Sequence, residues 1–359
     1  MAQQTTQANP TVIVQPQTQS QTHLSLPVDP ELSDLLIIGA GPCGLFAAYY
    51  SGFREMKTRI LDALPEAGGQ LAVLYPEKYI FDVPGYPEIL ARDLVAQLVA
   101  QASRYSPQML LGERATDLVR NSDSTYTVFT EKKGYSTKAV LVTAGVGSFS
   151  PNRLNIQNQE KFEGNGIYYF VKHKSFFKDK NLLIVGGGDS AVDWALNLKD
   201  VTKSIILIHR RDQFRAHEQS VKEIYSSPQI TVRTFTELKA VSGVDGNLNQ
   251  AVIFDNRTNK EETIPVDCIL INIGFKANLG PIANWGLQME NRAIKVNGRM
   301  ETNLPGIFAA GDIASQSDSV KLNLIATGFA QAALAVNVAK KYVDPKAQLF
   351  PGHSSEKSA

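Results

Sequence analysis

The sequence has little cysteine and no excess of charge of either sign. Only two cysteines, Cys43 and Cys268, occur in 359 residues. They lie far apart in the chain, which argues against a disulfide framework and favours a reducing cytoplasm. The formal net charge is +1, so nothing in the overall charge suggests nucleic acid or a membrane surface as a partner.

Long apolar runs are also missing. No stretch approaches the roughly 20 apolar residues of a membrane helix, and the N-terminus lacks the basic region and apolar core of a secretory signal. Residues 1–31 are instead rich in Gln and Thr. They contain so few apolar side chains that we expect a disordered tail, in which Thr11 to Val14 form at most a short strand. Beyond the tail, 43% hydrophobic and 20% charged residues are typical of a globular protein long enough for two domains.

A glycine-rich turn follows the first strongly apolar segment. Residues 34–38 predict a strand that is buried on both faces, and a helix pattern follows the turn. Gly39 permits the tight turn, Gly41 lets the backbone approach a pyrophosphate, and Gly44 allows the helix to pack closely on the strand. The next strand ends at Asp62, whose carboxylate can accept hydrogen bonds from ribose hydroxyls and would repel a 2′-phosphate. This first site is therefore predicted to bind FAD or NAD rather than NADP.

A second glycine motif has the opposite electrostatic character. It follows a buried-strand pattern at residues 181–185 and opens another helix. The next strand leads into a histidine and three arginines, and guanidinium groups form bidentate bonds with phosphate oxygens. This second site is therefore predicted to bind NADPH. The residues concerned are Gly186, Gly188, Asp189, Ser190 and Ala191 in the motif, and His209, Arg210, Arg211 and Arg215 after the strand.

Several longer stretches carry a more specific resemblance. From about Asp34 to Ser355 the chain resembles the thioredoxin-reductase-like ferredoxin–NADP+ reductases. Two departures from that pattern are Asn152, where the family often has Arg, and the small Ala115. The stretches that carry the resemblance are residues 68–71, 75–85, 186–195, 209–218, 300–303, 311–313, 323–328, 344–346 and 351–355.

The resemblance implies an α/β fold with two Rossmann-like, three-layer nucleotide-binding domains. Since the second motif lies within an insertion, we expect a split FAD domain at residues 32–147 and 278–345 and an NADPH domain at 148–277. Glycines in the two crossover segments, at 145–147 and 274–280, suggest a hinge. Residues 346–359 are expected to cover the flavin of the partner subunit in a homodimer.

The resemblance also implies site residues and an activity. Tyr75 would stack on one face of the flavin, and His353 from the partner subunit would cover the other. The expected reaction is hydride transfer from nicotinamide C4 to flavin N5, followed by one-electron steps to ferredoxin or flavodoxin, with no protein acid, base or metal. The implied FAD residues are Asp62, Gln70, Tyr75, Ala115, Phe149, Asp312 and Ser355, beside the three glycines of the first motif.

Other electron routes depend on cysteine. Thioredoxin reductases need a C-x-x-C dithiol before the second glycine motif, where residues 166–177 contain no cysteine. The C-x4-C of glutathione reductases is also absent, so the chain lacks an internal disulfide to accept electrons. Cys43, within the first motif, resembles the lone cysteine of bacillithiol disulfide reductases, although a small buried residue would explain it too. An NADPH diaphorase or quinone reductase and a non-enzymatic nucleotide-binding protein remain as further alternatives.

Overall fold

The structure, a computed structural model, describes residues 26–316, 320–353 and 355. The strand considered at Thr11 to Val14 lies outside these residues. The predicted tail boundary at residue 31 is wrong, because Val28–Ile38 already form the first strand, β1. Asp29 and Glu31 are anchored there by ion pairs of 2.9 and 3.0 Å with the buried guanidinium of Arg59. This contact is long-range, so the local composition could not reveal it.

The first segment of the chain alternates strands with helices before it ends in antiparallel strands. Leu35 to Ile38 are buried in β1, as expected for a continuous apolar run covered on both faces. The elements after β1 are α1 (Pro42–Phe53), β2 (Thr58–Asp62), α2 (Gln70–Val73), β3 (Tyr79–Ile80), β4 (Ile89–Leu90), α3 (Ala91–Ser103), β5 (Gln108–Leu111), β6 (Asp117–Arg120), β7 (Tyr126–Phe129) and β8 (Gly134–Val142).

The middle segment builds a second sheet with its own helices. It includes a 3₁₀ turn at Lys174–Phe177. Its elements are β9 (Ser148–Pro151), α4 (Gln159–Phe162), β10 (Ile167–Tyr168), β11 (Asn181–Val185), α5 (Asp189–Leu198), β12 (Ser204–Ile208), α6 (Glu218–Ser226), β13 (Ile230–Arg233), β14 (Thr236–Val244), β15 (Asn247–Asp255), β16 (Glu261–Pro265), β17 (Cys268–Ile271) and β18 (Phe275–Asn278).

The last segment returns to the first sheet. Short 3₁₀ turns lie at Gly280–Asn284 and Gly311–Ile313. The regular elements are β19 (Met289–Glu290), β20 (Ala293–Val296), β21 (Ile307–Ala309), β22 (Ala314–Gln316) and α7 (Ile325–Val343). Because β21 pairs in parallel with β8, the first sheet is completed by residues from both ends of the described chain.

Two mainly parallel sheets organise the molecule, as the predicted fold class requires, and the antiparallel strands β6 and β7 extend one side of the first. The first has the order β5-β2-β1-β8-β7-β6 with β21 beside β8, and the second has the order β10-β17-β11-β12-β13. Separate apolar cores accompany them, one built from residues 35–142 and 282–339 and the others from within residues 162–271. Both glycine turns follow the carboxyl end of a central strand, β1 or β11, where such sheets bind ligands. Within the described part of the chain, no helix combines the length and apolar character that a membrane crossing requires.

The two crossovers between the segments are paired with each other. β9 and β18 form an antiparallel ribbon in which Ser148 faces Asn278 and Pro151 faces Phe275. Asn152 extends the connection, since its Nδ2 donates to the Ile273 carbonyl at 3.2 Å and its N–H to the Gly274 carbonyl at 3.0 Å. Asn152 therefore has a structural role in this chain, because it ties the two crossovers together.

Candidate functional site: two nucleotide sites

A cavity of about 350 Å³ opens at the carboxyl edge of the first sheet. This volume is within the range of cofactor pockets. The first strand–turn–helix unit, the ends of β2 and β8, and the turn after β21 all contribute to its wall. The predicted FAD residues that line it are Gly39, Gly41, Asp62, Gln70, Tyr75, Ala115, Phe149 and Asp312.

The glycines of the first turn have separate roles. Gly39 has a φ of +111°, and a Cβ on Gly44 would lie 1.8 Å from the Gly39 carbonyl oxygen. Gly44 therefore has no room for a side chain, and it is not among the residues that line the cavity. A Cβ on Gly41 would meet nothing nearer than 4.0 Å, and no side chain caps the N-terminus of α1 that follows. This leaves room and free backbone N–H groups for an anionic group such as a pyrophosphate.

Asp62 lies where β2 ends and is oriented by the backbone. Its Oδ2 accepts from the Ala40 N–H at 2.6 Å and its Oδ1 from the Leu64 N–H at 2.8 Å. Burial raises the pKa of Asp62, and these two hydrogen bonds oppose that effect. Each carboxylate oxygen keeps a lone pair for a ribose hydroxyl, because one oxygen can accept two hydrogen bonds.

Aromatic and polar side chains cover another part of the wall. Burial, followed by the negative charges of Asp312 and Asp82, raises the pKa of Tyr75. The phenol therefore stays neutral and offers a flat apolar face. The Gln70 amide lies close to Gly145, whose Cβ would be 3.2 Å from Gln70 Nε2, so the start of α2 meets the turn after β8.

The structure does not bring the predicted C-terminal residues to this cavity. Among the described residues, neither His353 nor Ser355 contributes to its wall. The His353 ring instead lies 5.3 Å from the Phe350 ring in an edge-on arrangement. A role for these residues at a partner's flavin stays a prediction.

Several residues that line the cavity were not predicted from the sequence. The turn after β8 contributes Thr143 to Gly145, and this segment carried a recognisable signal: a glycine three residues after a buried strand. Nothing local marked the other contributors, which reach the cavity only through the tertiary fold. They include Arg114, Pro281 and Ile282.

The second glycine turn has the same construction as the first. Gly186 cannot carry a side chain, because its Cβ would lie 2.3 Å from the Asn272 carbonyl oxygen, whereas a Cβ on Gly188 would meet nothing within 4 Å. Gly188 is the N-cap of α5, again without a side-chain cap. Ala191 is buried and Ser190 is exposed in the first turn of this helix. The exposed backbone N–H groups therefore suit a second pyrophosphate.

The arginine-bearing loop after β12 folds back onto this turn. The Arg215 N–H donates to the Gly187 carbonyl at 2.7 Å, and the His217 N–H donates to Asp189 Oδ1 at 2.9 Å. The predicted residues are thus brought together, and the side chains of Arg210, Arg211 and Arg215 are exposed. Burial and then the charges of these arginines lower the pKa of His209, while its hydrogen bond to the Gln213 carbonyl opposes them. The imidazole is therefore neutral at pH 7, and the positive charge of the loop comes from arginine.

Asn272 is a further polar residue at this edge that the sequence did not single out. It follows β17 and is 8% exposed, and its Oδ1 is buried without a hydrogen-bond partner in the described structure. Its backbone lies against Gly186. An acceptor left open at the carboxyl edge of a parallel sheet fits a ligand that carries hydroxyl or amide donors.

The two cysteines are unpaired thiols. Cys43 Sγ donates to the Gly328 carbonyl at 3.3 Å. Burial and then the charge of Asp312 raise its pKa far above the usual range, and burial raises the pKa of Cys268 to about 12. Neither thiol has the lowered pKa of a nucleophile for disulfide exchange. No group of three or more His, Cys, Asp or Glu residues in the described ranges could hold a metal.

Fold and sites together define a two-domain α/β protein with two dinucleotide-binding turns. The sequence profile of the pyridine nucleotide-disulphide oxidoreductase family matches residues 33–337. The chain belongs to this family.

Two relatives with curated names show which members of this family the chain is similar to. Ferredoxin–NADP reductase 1 of Sulfolobus acidocaldarius is 54% identical over 323 residues, covering 90% of this chain and 98% of that protein. Ferredoxin–NADP reductase of Thermus thermophilus is 50% identical over 330 residues, covering 91% and 98%. The resemblance inferred from the sequence is therefore confirmed.

Solved structures agree on the architecture. Lactococcus lactis thioredoxin reductase in its FR conformation has a TM-score of 0.70 and 27% identity, covering 87% of this chain and 99% of that one. Bacillithiol disulfide reductase of Staphylococcus aureus has a TM-score of 0.65, covering 86% and 98%. At 17% identity, the second likeness concerns the fold alone.

Proposed function

We propose that this protein is an FAD-dependent oxidoreductase that transfers electrons between NADPH and ferredoxin. The observation that carries the proposal is the pairing of two glycine turns with opposite charge. One is followed by Asp62 and lies in a cavity, and the other is covered by a loop with three arginines. The relatives at 54% and 50% identity carry the name ferredoxin–NADP reductase.

The FAD site is assigned to the cavity of the first sheet. FAD supplies, when bound, the exchange between the electron pair of NADPH and the single electrons of an iron–sulfur carrier. The open space above Gly41 fits its pyrophosphate, and Asp62 fits its ribose hydroxyls. Tyr75 offers a flat wall for its ring system, which orients the ring at little cost in rotamer entropy.

The NADPH site is assigned to the second turn. The α5 N-terminus binds the pyrophosphate, and Arg210, Arg211 and Arg215 bind the 2′-phosphate through charge-assisted hydrogen bonds. These groups bind and orient the cofactor. No side chain is required as an acid or base, because hydride transfer is a matter of positioning.

The domain division and the hinge are part of the proposal. The FAD domain comprises residues 28–147 and 278–345, with its start moved to the first residue of β1, and the NADPH domain comprises 148–277. The paired crossovers β9 and β18 support a hinge, since a two-stranded ribbon can bend without breaking either core. If the domains are crosslinked apart, flavin reduction by NADPH should stop, and full activity after crosslinking would contradict the hinge.

We also infer that the protein works in a reducing cytoplasm, which keeps both cysteines as thiols. We further propose a homodimer in which residues 346–359 of one subunit cover the flavin of the other. A mixed dimer tests this arrangement. One chain is truncated after Pro345 and keeps FAD, and the other is full-length with Gly41→Val, which fills the pyrophosphate space. The full-length chain should restore protection of the truncated chain's flavin against iodide quenching; absence of any protection would contradict the exchange of tails.

A disulfide reductase that uses Cys43 is not favoured, since the raised pKa leaves no thiolate for attack.

The electron acceptor is tested by steady-state assays of the FAD-loaded protein with NADPH and, side by side, ferredoxin, flavodoxin, quinones and low-molecular-weight disulfides. Ferredoxin should give the highest kcat/KM. A higher value with quinones would favour a diaphorase, and an unreduced flavin after stopped-flow mixing with NADPH would rule out turnover.

A further inference from the structure

Arg54, directly after α1, has an unusual set of partners. Its side chain is buried, at 6% exposure. One guanidinium nitrogen, Nη1, donates to Asn337 Oδ1 and, at 2.9 Å, to the Leu349 carbonyl. The other, Nη2, donates to the Gln348 carbonyl at 2.6 Å. All three acceptors are neutral oxygens, and two of them belong to the C-terminal segment.

Burying a guanidinium among neutral oxygens costs more free energy than an exposed arginine contact would. A buried cation is usually compensated by a carboxylate, and neutral carbonyls compensate it only in part. Burial lowers the pKa of Arg54 accordingly. The planar fork of a guanidinium, however, can bind two successive backbone carbonyls in one orientation, which a lysine cannot do. Such geometry serves to anchor a segment at a defined place.

That place is the end of α1 opposite the FAD cavity. α1 and α7 run side by side and both begin at the cavity, where Cys43 donates to the Gly328 carbonyl at 3.3 Å. In the last turn of α1, the Tyr50 hydroxyl accepts from Asn337 Nδ2 of α7 at 3.3 Å, and the same Asn337 accepts from Arg54. The eleven residues from Cys43 to Arg54 correspond to about 17 Å along the helix.

None of the described residues beyond the anchor contributes to the wall of the cavity. Phe350 and His353 lie ring to ring at 5.3 Å, and Gly352 has a φ of +87°. The chain therefore turns at the far end of α1, where Leu349 and Phe350 are 45% and 60% exposed. Apolar side chains displayed next to a fixed anchor are suited to contact another protein surface.

We infer that Arg54 is a positioning residue that fixes residues 348–349 so that residues 350–353 are directed to a second copy of this chain and away from their own cavity. The inference rests on the proposed function, in which this segment covers the partner's flavin. Arg54 contacts neither cofactor and acts only through the segment that it anchors.

The test compares Arg54→Met with Arg104→Met in the FAD-loaded protein. Arg104 is an exposed arginine at the corresponding position after α3, so it controls for loss of an arginine at a helix C-terminus. Hydrogen–deuterium exchange of peptides covering 346–353 should rise by about tenfold in Arg54→Met, because the anchor no longer opposes local opening, and should stay unchanged in Arg104→Met. Protection of the flavin against iodide should fall to the level of a chain truncated after Pro345.

Unchanged exchange in Arg54→Met overturns the inference, and so does a loosened segment with normal flavin protection. The variant should fold, since the freed carbonyls belong to the exposed residues Gln348 and Leu349 and water can solvate them. Arg54→Lys provides a second series, in which one carbonyl contact remains and both readouts should be intermediate. Exchange and quenching do not involve ferredoxin, so a protein that fails to reduce ferredoxin would overturn the proposed function and leave this inference testable.

Discussion

At the scale of single residues, the choice between the two nucleotides depends on charge at equivalent positions. Asp62 follows the second strand of one sheet, and Arg210 and Arg211 follow the corresponding strand of the other. A carboxylate repels a 2′-phosphate, whereas a guanidinium binds it bidentately. Since the arginine side chains are exposed, their removal should affect ligand binding far more than folding.

We predict that the double substitution Arg210→Gln and Arg211→Gln raises KM for NADPH about 10- to 100-fold, which is the loss expected for one or two charge-assisted hydrogen bonds. KM for NADH should change little, because NADH lacks the phosphate. Arg257→Gln is the control: this arginine lies in the same domain and pairs with Asp255 at 2.7 Å. Equal losses with both nucleotides, measured by steady-state kinetics, would contradict the assignment.

Cys43 is predicted to be chemically inert. Its raised pKa means that the thiol remains protonated from pH 7 to 9, and the reactive thiolate forms only in more alkaline solution. Iodoacetamide at pH 8 should therefore alkylate Cys43 in the folded protein at roughly a tenth or less of the rate in the unfolded chain. Cys43→Ser should keep ferredoxin reduction within about twofold, because no electron passes through the thiol. An inactive Cys43→Ser that still binds FAD would revive the disulfide-reductase alternative.

At the scale of elements, each site depends on how closely a helix approaches the strand before it. Gly44 lies at the contact between α1 and the turn after β1, where there is no space for a methyl group. The approach places the first free N–H groups of α1 at the cavity. Helix α1 therefore positions the proposed anion site, and a methyl group added at Gly44 should displace the N–H groups that form it.

We predict that Gly44→Ala destabilises the protein by about 1–3 kcal/mol, the usual range for overpacking, and lowers FAD retention. The control is Gly298→Ala, since a Cβ on Gly298 meets nothing within 4 Å. Thermal unfolding and the flavin-to-protein absorbance ratio measure the two effects. A stable Gly44→Ala with a full complement of FAD would show that the helix can shift without cost.

At the scale of the whole molecule, two of the contacts among the described residues join the two proposed domains. One is the β9–β18 ribbon. The other is an ion pair of 2.8 Å between Lys78 and Asp193, with Lys78 Nζ also 5.5 Å from the Trp194 ring. Lys78 belongs to the loop that carries Tyr75, and Asp193 lies on α5. The pair therefore joins the wall of the FAD cavity to the helix that begins at the NADPH site.

We predict that Lys78→Gln reduces the salt dependence of flavin reduction. In the wild-type protein, salt screens the attraction between Lys78 and Asp193 and so alters the balance of domain orientations. In Lys78→Gln this attraction is absent, so salt should have a smaller effect. The stability loss should be at most about 1 kcal/mol, because both side chains are partly exposed. The rate constant is measured by stopped flow at saturating NADPH from low to high salt, with Lys199→Gln, whose lysine pairs with Glu223 inside one domain, as the control. An unchanged salt slope in Lys78→Gln would contradict a role for the pair.

Much of the fold could be predicted because the motifs are local. The run Leu35 to Ile38, the turn at Gly39 and the acid at Asp62 follow one another within a single strand–helix–strand unit, so their order alone indicates the geometry. The same holds for residues 181–211. Pro281 and Ile282 could not be predicted as cavity residues, because the fold brings them there from a distant segment. The extent of β1 was missed for the same reason, since Arg59 anchors its first residues.

The sequence by itself determined that there are two nucleotide turns, which charge follows each, and that no dithiol is available to accept electrons. These properties are local, since they depend on the residue types within short stretches and on the periodicity of neighbouring strands. Only the tertiary structure decided that the last segment closes the first sheet, that the arginine loop folds onto its glycine turn, and that Arg54 anchors the C-terminal segment away from its own cavity. Those features depend on contacts between residues up to 295 positions apart, and such contacts are selected by the packing of the whole chain.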